Sequence, residues 1–221
     1  MRRVTTIIVA AGEGRRFGSV KQFALIKGKC VLDWSLEKFE AHEKVSEIIL
    51  VLRDDREKEK YLNRYRKLTS VVRGGKKRQD SVITGFSEVN PEKTDIVLVH
   101  DGVRPLVGED LITRVIEATE EAGVAIPALP VEDTIKQVEG EKVSRTLERS
   151  KLRRIQTPQG FFYSILEEAL NKAREDNFYG TDEASLVERI GKKVFIVGGD
   201  SRNIKITDQE DLRIAEALLE D

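Results

Sequence analysis

The chain has a single cysteine, Cys30, among 221 residues. One thiol excludes an intrachain disulfide and suits a reducing compartment, so a cytoplasmic location is expected. Apolar runs approaching the ~18 residues of a membrane helix are missing, as is a secretory leader pattern, so a soluble chain without a membrane partner is expected. Excess charge of one sign is missing too: 38 Lys and Arg face 39 Asp and Glu, leaving a net charge of −1. That balance argues against a nucleic-acid partner, and any cationic site must be assembled locally from residues distant in sequence. No Gly-Lys-Ser/Thr is present, which excludes a P-loop. Internal repeats and low-complexity linkers are absent as well.

Hydrophobic residues make up 39% of the chain and charged residues 35%. This length and apolar fraction suit one large domain, spanning 1–221. Short β-rich runs at Thr5–Ala11, Glu47–Leu52, Ser70–Arg73, Ile96–Val99, Val124–Ala128 and Lys193–Val197 are each bounded by Gly, Asp, Pro or charge. Helical patterns fall between them at about 32–42, 54–67, 78–89, 109–122, 161–175, 182–190 and 208–219. Strands alternating with helices predict an α/β protein with a mostly parallel sheet covered by helices. The stretch from Val131 to Gln156 breaks the pattern, because alternating residues flank Glu139-Gly140-Glu141. It reads as an inserted hairpin. A lone two-stranded ribbon is marginal in water, so it needs a packing partner, and a second subunit is a natural one.

The chemistry concentrates in three strand ends. Ile7-Ile8-Val9-Ala10-Ala11 runs into Gly12-Glu13-Gly14-Arg15-Arg16-Phe17-Gly18, with Lys21 close behind. Glycines let a backbone approach a ligand closely with its N–H groups free to donate, and Arg and Lys supply charge for phosphates. A dinucleotide fingerprint fits poorly, because Phe17 stands where the third glycine belongs and Arg53 precedes Asp54. The second strand end carries Gly74-Gly75, whose N–H groups with the Ser81 hydroxyl can read a base edge, or the pair turns the chain into a helix capped by Asp80 or Ser81. The third carries His100-Asp101-Gly102-Val103-Arg104. A carboxylate there can meet Mg²⁺ or substrate hydroxyls, or pair with Arg104 to shape the turn. His100 reads as packed rather than catalytic. Thr181 and Asp182 read first as a helix cap, and Lys205 as a solvated charge.

Taken in order, Ala10-Ala11-Gly12-x-Gly14-x-Arg16-Phe17, Lys21-Gln22-Phe23, Gly74-Gly75-x-x-Arg78-x-x-Ser81-Val82, His100-Asp101-x-x-Arg104-Pro105, Thr157-Pro158-Gln159, Thr181-Asp182-x-Ala184-Ser185 and Ile204-Lys205-Ile206-Thr207 resemble the 2-C-methyl-D-erythritol 4-phosphate cytidylyltransferases of isoprenoid biosynthesis. The resemblance implies a Rossmann-like nucleotidyltransferase fold whose β-arm, about 131–156, interlocks two subunits into a homodimer. It implies that CTP and methylerythritol phosphate are joined with release of pyrophosphate, assisted by Mg²⁺ or another divalent cation. Arg16 and Lys21 match the catalytic pair. Ala10, Ala11, Gly12, Gly14, Gly75, Ser81 and Gly102 match the CTP-binding set. Asp101, Arg104, Thr134, Arg149, Thr181 and Lys205 match the sugar-phosphate set, with Thr134 and Arg149 reaching the partner's site and Asp101 also a metal candidate. Two departures stand out: Val20 replaces the usual Pro, and Arg202 replaces an Asp for which Asp200 is the nearest substitute. Ribitol-5-phosphate cytidylyltransferases share much of this framework and are the alternative enzyme. A non-catalytic nucleotide-binding regulatory protein is the alternative of another class.

Overall fold

The computed structural model describes residues 2–14, 17–18, 20–54, 56 and 58–219. Arg16, half of the expected catalytic pair, lies outside the described residues. The elements run β1 (Val4–Ala10), β2 (Leu25–Ile26), β3 (Lys29–Cys30), α1 (Val31–Ala41), β4 (Val45–Leu52), α2 (Lys58–Leu62) and β5 (Leu68–Arg73). Next come α3 (Arg78–Phe86), β6 (Ile96–Asp101), α4 (Glu109–Ala122), β7 (Val124–Pro130), β8 (Lys136–Glu139) and β9 (Lys142–Thr146). The chain finishes through β10 (Arg153–Ile155), β11 (Gln159–Phe162), α5 (Tyr163–Glu175), α6 (Glu183–Arg189), β12 (Phe195–Gly198) and α7 (Gln209–Leu218).

Eight strands form one sheet in the order β10-β7-β11-β6-β1-β4-β5, with β12 also pairing β7. The strands β1, β4, β5, β6, β7 and β12 share one direction, while β10 and β11 run against it. The mostly parallel expectation therefore holds, with an antiparallel intrusion that the sequence pattern does not suggest. Period-2 alternation divides the core between two faces. Ile8, Ile48, Leu50, Ile96 and Leu98 meet Leu32, Leu36 and Phe39 of α1 and Leu111, Ile112, Val115 and Ile116 of α4. Ile7, Ile49, Val51, Val97 and Val99 meet Val82 of α3, Leu166 and Leu170 of α5, and Val187 of α6. Each such side chain, taken wholly out of water, contributes about 1.5–3 kcal/mol. On the second face α3 rides directly on the sheet at Gly85, where an added Cβ would lie 2.7 Å from Ile7 and 2.8 Å from Val51. That close approach brings the N-terminus of α3 to the ends of β1 and β5.

Three boundaries differ from the sequence expectation for identifiable reasons. The helix expected over 54–67 is reduced to α2, among the described residues. Asp54 accepts from its neighbour's N–H (Arg56, 3.2 Å), and Glu40 accepts from the N–H groups of Arg66 and Lys67 at 3.0 Å each. Side chains that bind nearby main chain in this way compete with helical hydrogen bonding. The helix expected from 161 starts at Tyr163, because buried β11 is held between β6 and β7. The insertion near 131–156 does carry the expected hairpin, β8 with β9, exposed throughout. Its closing segment β10 instead returns to the main sheet alongside β7. Among the described residues no helix is long and apolar enough to cross a membrane.

Candidate functional site

The carboxyl ends of β1, β4, β5 and β6 open into one cavity of about 460 Å³. Open α/β sheets place ligands at this edge, where loops leave strands that end together. Among the described residues its lining includes seven cations (Lys21, Arg53, Arg73, Lys76, Lys77, Arg78 and Lys205) and two acids, Glu13 and Asp101. In a chain with net charge −1, such a concentration is a built feature, and it can attract and hold a polyanion.

Each wall has a local cause. Beyond β1, Ala10, Ala11 and Gly12 line the cavity, and the Gln22 side chain donates to the carbonyls of Ala10 (2.7 Å) and Gly12 (3.2 Å). Gln22 lies on a short 3₁₀ turn with Lys21, whose Nζ donates to the Ile206 carbonyl at 2.8 Å. Beyond β5, the turn at Gly74-Gly75 is fastened by Ser81, whose Oγ accepts from the Gly75 N–H and donates to the Lys77 carbonyl, both at 3.2 Å. A side chain at Gly75 is impossible without movement, since its Cβ would sit 2.3 Å from the Asp80 Cβ. Ser81 thus shapes the loop from inside the first turn of α3 and does not cap the helix, where the Lys77 N–H is met instead by Asp80 at 3.0 Å.

At the end of β6, Asp101 is nearly buried and lies between two cations. Its Oδ1 accepts from Arg78 Nε at 2.9 Å and its Oδ2 from Lys205 Nζ at 2.6 Å. Arg78 Nη1 reaches onward to both oxygens of Glu183, at 2.7 and 2.9 Å. The Glu183 side chain is only 1% exposed. The result is an alternating row, Glu183–Arg78–Asp101–Lys205, linking the starts of α6 and α3, the end of β6 and the 204–207 loop. Burial alone would raise the Asp101 carboxyl, but Arg78, Lys205 and Arg104 hold it well below the usual carboxylate range. Burial raises the Glu183 carboxyl, and Arg78 offsets this only in part. Arg78 itself stays firmly protonated, because the two carboxylates outweigh its burial.

The alternative of an Asp101–Arg104 ion pair shaping the turn is not what forms: Asp101 pairs with Arg78 and Lys205. Arg104 Nη1 donates to the Asn203 carbonyl at 2.7 Å, which ties the β6 turn to the segment before Lys205. His100 is packed, as expected. Its Nε2–H faces the Arg104 carbonyl at 3.3 Å, and its Nδ1 accepts from the Thr157 hydroxyl at 3.2 Å, which in turn accepts from the Asp101 N–H. Those partners suit a neutral ring, and burial pushes the His100 pKa down to about 3. Burial lowers His42 as well. An unfolded histidine titrates near 6.5, so acid protonates the unfolded chain before the folded one. The histidine contribution to stability is therefore complete above about pH 6.5 and is lost as pH falls below it. At pH 5 His100 alone is expected to cost about 2 kcal/mol. Its ring-proton NMR shift should stay flat from pH 8 to 5, and a midpoint near 6.5 would contradict this burial.

Of the expected site residues, Ala10, Ala11, Gly12, Lys21, Gly75, Ser81, Asp101 and Lys205 meet in the cavity lining. Gly14 lies just outside it, its carbonyl accepting from the N–H groups of Phe17 and Gly18. Gly102 lies beneath, donating from its N–H to the Val9 carbonyl at 2.9 Å. Thr134 and Arg149 are exposed at the foot of the ribbon, away from the cavity lining of their own chain. Thr181 is exposed just before Asp182, which caps α6 by accepting from the Ser185 N–H at 3.0 Å. Asp200, the substitute considered for Arg202, lines a separate cavity beside Gly108 and Arg114. In the sequence alone Arg78 has no role beyond its place in a motif, and Glu183 has none. The sign available is an acid following Asp182 on the face of a short helix that also buries Ala184 and Val187.

A cation-lined cleft at the carboxyl edge of a Rossmann-like sheet, walled by glycine turns, defines a nucleotide-handling α/β protein of the nucleotidyltransferase kind. The chain belongs to the 2-C-methyl-D-erythritol 4-phosphate cytidylyltransferase family, whose family model matches residues 4–221. The enzyme of that name from Syntrophus aciditrophicus is 44% identical, over 98% of this chain and 96% of the relative. That from Bacillus cytotoxicus is also 44% identical, over 97% of each. Among solved structures, the cytidylyltransferase from Thermus thermophilus superposes with a TM-score of 0.83 at 36% identity, covering 99% of this chain and all of the other. The 4-diphosphocytidyl-2C-methyl-D-erythritol synthase from Anaerococcus prevotii gives a TM-score of 0.88 at 33% identity, covering 100% and 97%.

Proposed function

We propose that this chain joins CTP to 2-C-methyl-D-erythritol 4-phosphate, giving 4-diphosphocytidyl-2-C-methyl-D-erythritol and pyrophosphate. The observation that carries the reading is the cavity at the end of the sheet, with seven cations among its described residues, in a chain that matches relatives bearing that enzyme's name over nearly their full length. A phosphomonoester is already nucleophilic near neutral pH. The obstacle is repulsion, because a dianion must approach the α-phosphorus of a polyanion. Its oxygen forms the new bond to that phosphorus while the bond to the bridging oxygen of the leaving pyrophosphate breaks. Positioning and charge stabilisation are then the main catalytic terms. Arg16 and Lys21 neutralise charge on the α-phosphate and leaving group. The main chain of Ala10, Ala11, Gly12, Gly14 and Gly75 and the support of Ser81 and Gly102 hold the nucleotide. Asp101, Arg104, Thr181 and Lys205 receive the sugar phosphate. Lys205, paired with Asp101 at 2.6 Å, is exchanged from carboxylate to phosphate when substrate arrives.

Mg²⁺ supplies further neutralisation of the triphosphate when bound. Both Asp101 oxygens already face cations, and no three His, Cys, Asp or Glu side chains gather among the described residues. That donor set suits an ion carried on the triphosphate and water, which Asp101 would meet only once Lys205 has turned to phosphate, better than a cage made by the protein. The exposed ribbon, with Val138 and Val143 both more than half exposed, supports an arm-mediated homodimer in which Thr134 and Arg149 complete the partner's site. A soluble cytoplasmic enzyme follows from the same reading. The test is pyrophosphate release from CTP and Mg²⁺ with each sugar phosphate in turn. Release with methylerythritol phosphate and little with ribitol 5-phosphate is expected. The reverse order would transfer the assignment to the ribitol enzyme, and CTP binding without turnover would make the chain a regulatory one.

A further inference from the structure

We propose that Gln22 is a positioning residue for the nucleotide half of the site, setting the direction of the peptide groups that meet CTP. Gln22 is neutral and takes no part in the chemistry above, yet it is 1% exposed at the wall of a charged cavity. Its Nε2 has two hydrogens, and two carbonyls receive them: Ala10 at 2.7 Å and Gly12 at 3.2 Å. A trans peptide is planar with its C=O and N–H opposed. Holding the Ala10 carbonyl on Gln22 therefore turns the Ala11 N–H the other way, and holding the Gly12 carbonyl does the same for the Glu13 N–H. The two carbonyls are also kept from rotating toward phosphate oxygens, which they would repel.

The fastening acts at an open position. Gly12 is exposed, and a Cβ built there meets nothing within 4 Å, so no neighbour packs against that side of it. Gln22 is next to Lys21, on the same 3₁₀ turn, so one short segment both carries a cation of the cavity lining and fastens the peptide groups after β1. Asparagine is too short to reach both carbonyls. Glutamate has the same shape but would set a carboxylate against two carbonyl oxygens.

The inference rests on the reading of this cavity as the CTP site, and one experiment separates the two. Wild type, Gln22→Met and Gln22→Glu are compared by the rise in melting temperature on adding CTP with Mg²⁺, and by KM for each substrate. Wild type should be stabilised by CTP. Loss of two neutral hydrogen bonds in Gln22→Met should weaken CTP by about tenfold, with KM for the sugar phosphate changed less than about twofold. Gln22→Glu should be weaker again, since it adds a negative charge. Because the readout is the shift caused by ligand, a lower starting stability does not obscure it. No CTP-induced shift in wild type would overturn the site reading and the inference with it. A wild-type shift matched by both variants, or both KM values rising together, would overturn the role of Gln22 alone.

Discussion

Replacing Lys21 with alanine is expected to lower turnover by two to three decades while moving CTP affinity far less. The cation matters most when charge builds on the α-phosphate and the leaving pyrophosphate, so its loss falls on the transition state rather than on binding. By comparison with a deleted oxyanion donor, the cost is about 3–4 kcal/mol. Binding falls less because other cations line the same cavity: Lys76, Lys77, Arg78 and Lys205 remain. Before substrate arrives, Lys21 donates to the Ile206 carbonyl at 2.8 Å, so turning to the phosphates exchanges that neutral acceptor for an anionic one. Steady-state kinetics and CTP titration on the one variant distinguish the effects. Normal turnover, or a loss confined to KM for CTP, would remove Lys21 from catalysis. The same variant tests the arm. Mixed with Arg149→Ala, a residue exposed and outside the cavity lining of its own chain, it should regain activity if sites are shared between subunits. A hybrid dimer then has one site with both cations intact. No recovery after demonstrated subunit exchange would mean that each site is built from one chain.

The parts of the site legible in the sequence are those made by neighbours along the chain. Glycine directly after a strand specifies a turn with accessible main chain, so the Ala10–Gly12 and Gly74–Gly75 walls can be read without knowing what lies across from them. The capping of α6 by Asp182 and of α7 by Asp208 is equally local. Arg78 is not readable in this way. Its partners are 23 and 105 residues distant, and a basic residue after Lys76-Lys77 looks like one more solvated charge. The strand β11 escapes the sequence reading for a related reason. Gln159-Gly160 has no strand pattern of its own, and the segment is extended because it fills the gap between β6 and β7. There an added Cβ on Gly160 would lie 2.2 Å from the Thr119 hydroxyl, a constraint imposed by α4. The Thr157-Pro158-Gln159 motif likewise proves to be scaffolding. Thr157 holds the Asp101 N–H at 3.1 Å, and Gln159 spans Asp182 at 2.8 Å and the Ala184 N–H at 3.2 Å.

Arg78→Met is expected to cost about 3–5 kcal/mol of folding stability at neutral pH, as well as most activity, because it leaves buried charge without its partner. The methionine can fill much of the same space, so the loss is electrostatic rather than a packing defect. Glu183 would lose the cation that holds both its oxygens, and Asp101 would keep its bond to Lys205 and the charge of Arg104. The cheapest response is for Glu183 to take up a proton, so its pKa, already raised by burial, rises further. The sign follows from linkage. A carboxyl with a folded pKa above its unfolded value contributes its stability at low pH, and that contribution is lost as pH rises through the folded pKa. The deficit of Arg78→Met relative to wild type should therefore shrink between pH 7.5 and 5.5, even though wild type loses stability over the same interval through its histidines. Urea unfolding at both pH values measures it. Adding Glu183→Gln to Arg78→Met should recover part of the loss, since an uncharged amide is far easier to bury than a carboxylate. The double variant should then be more stable than the sum of the single changes requires, the mark of directly coupled residues. A deficit under about 1 kcal/mol, or one identical at the two pH values and strictly additive with Glu183→Gln, would show that the row from Glu183 to Lys205 is not held together by charge.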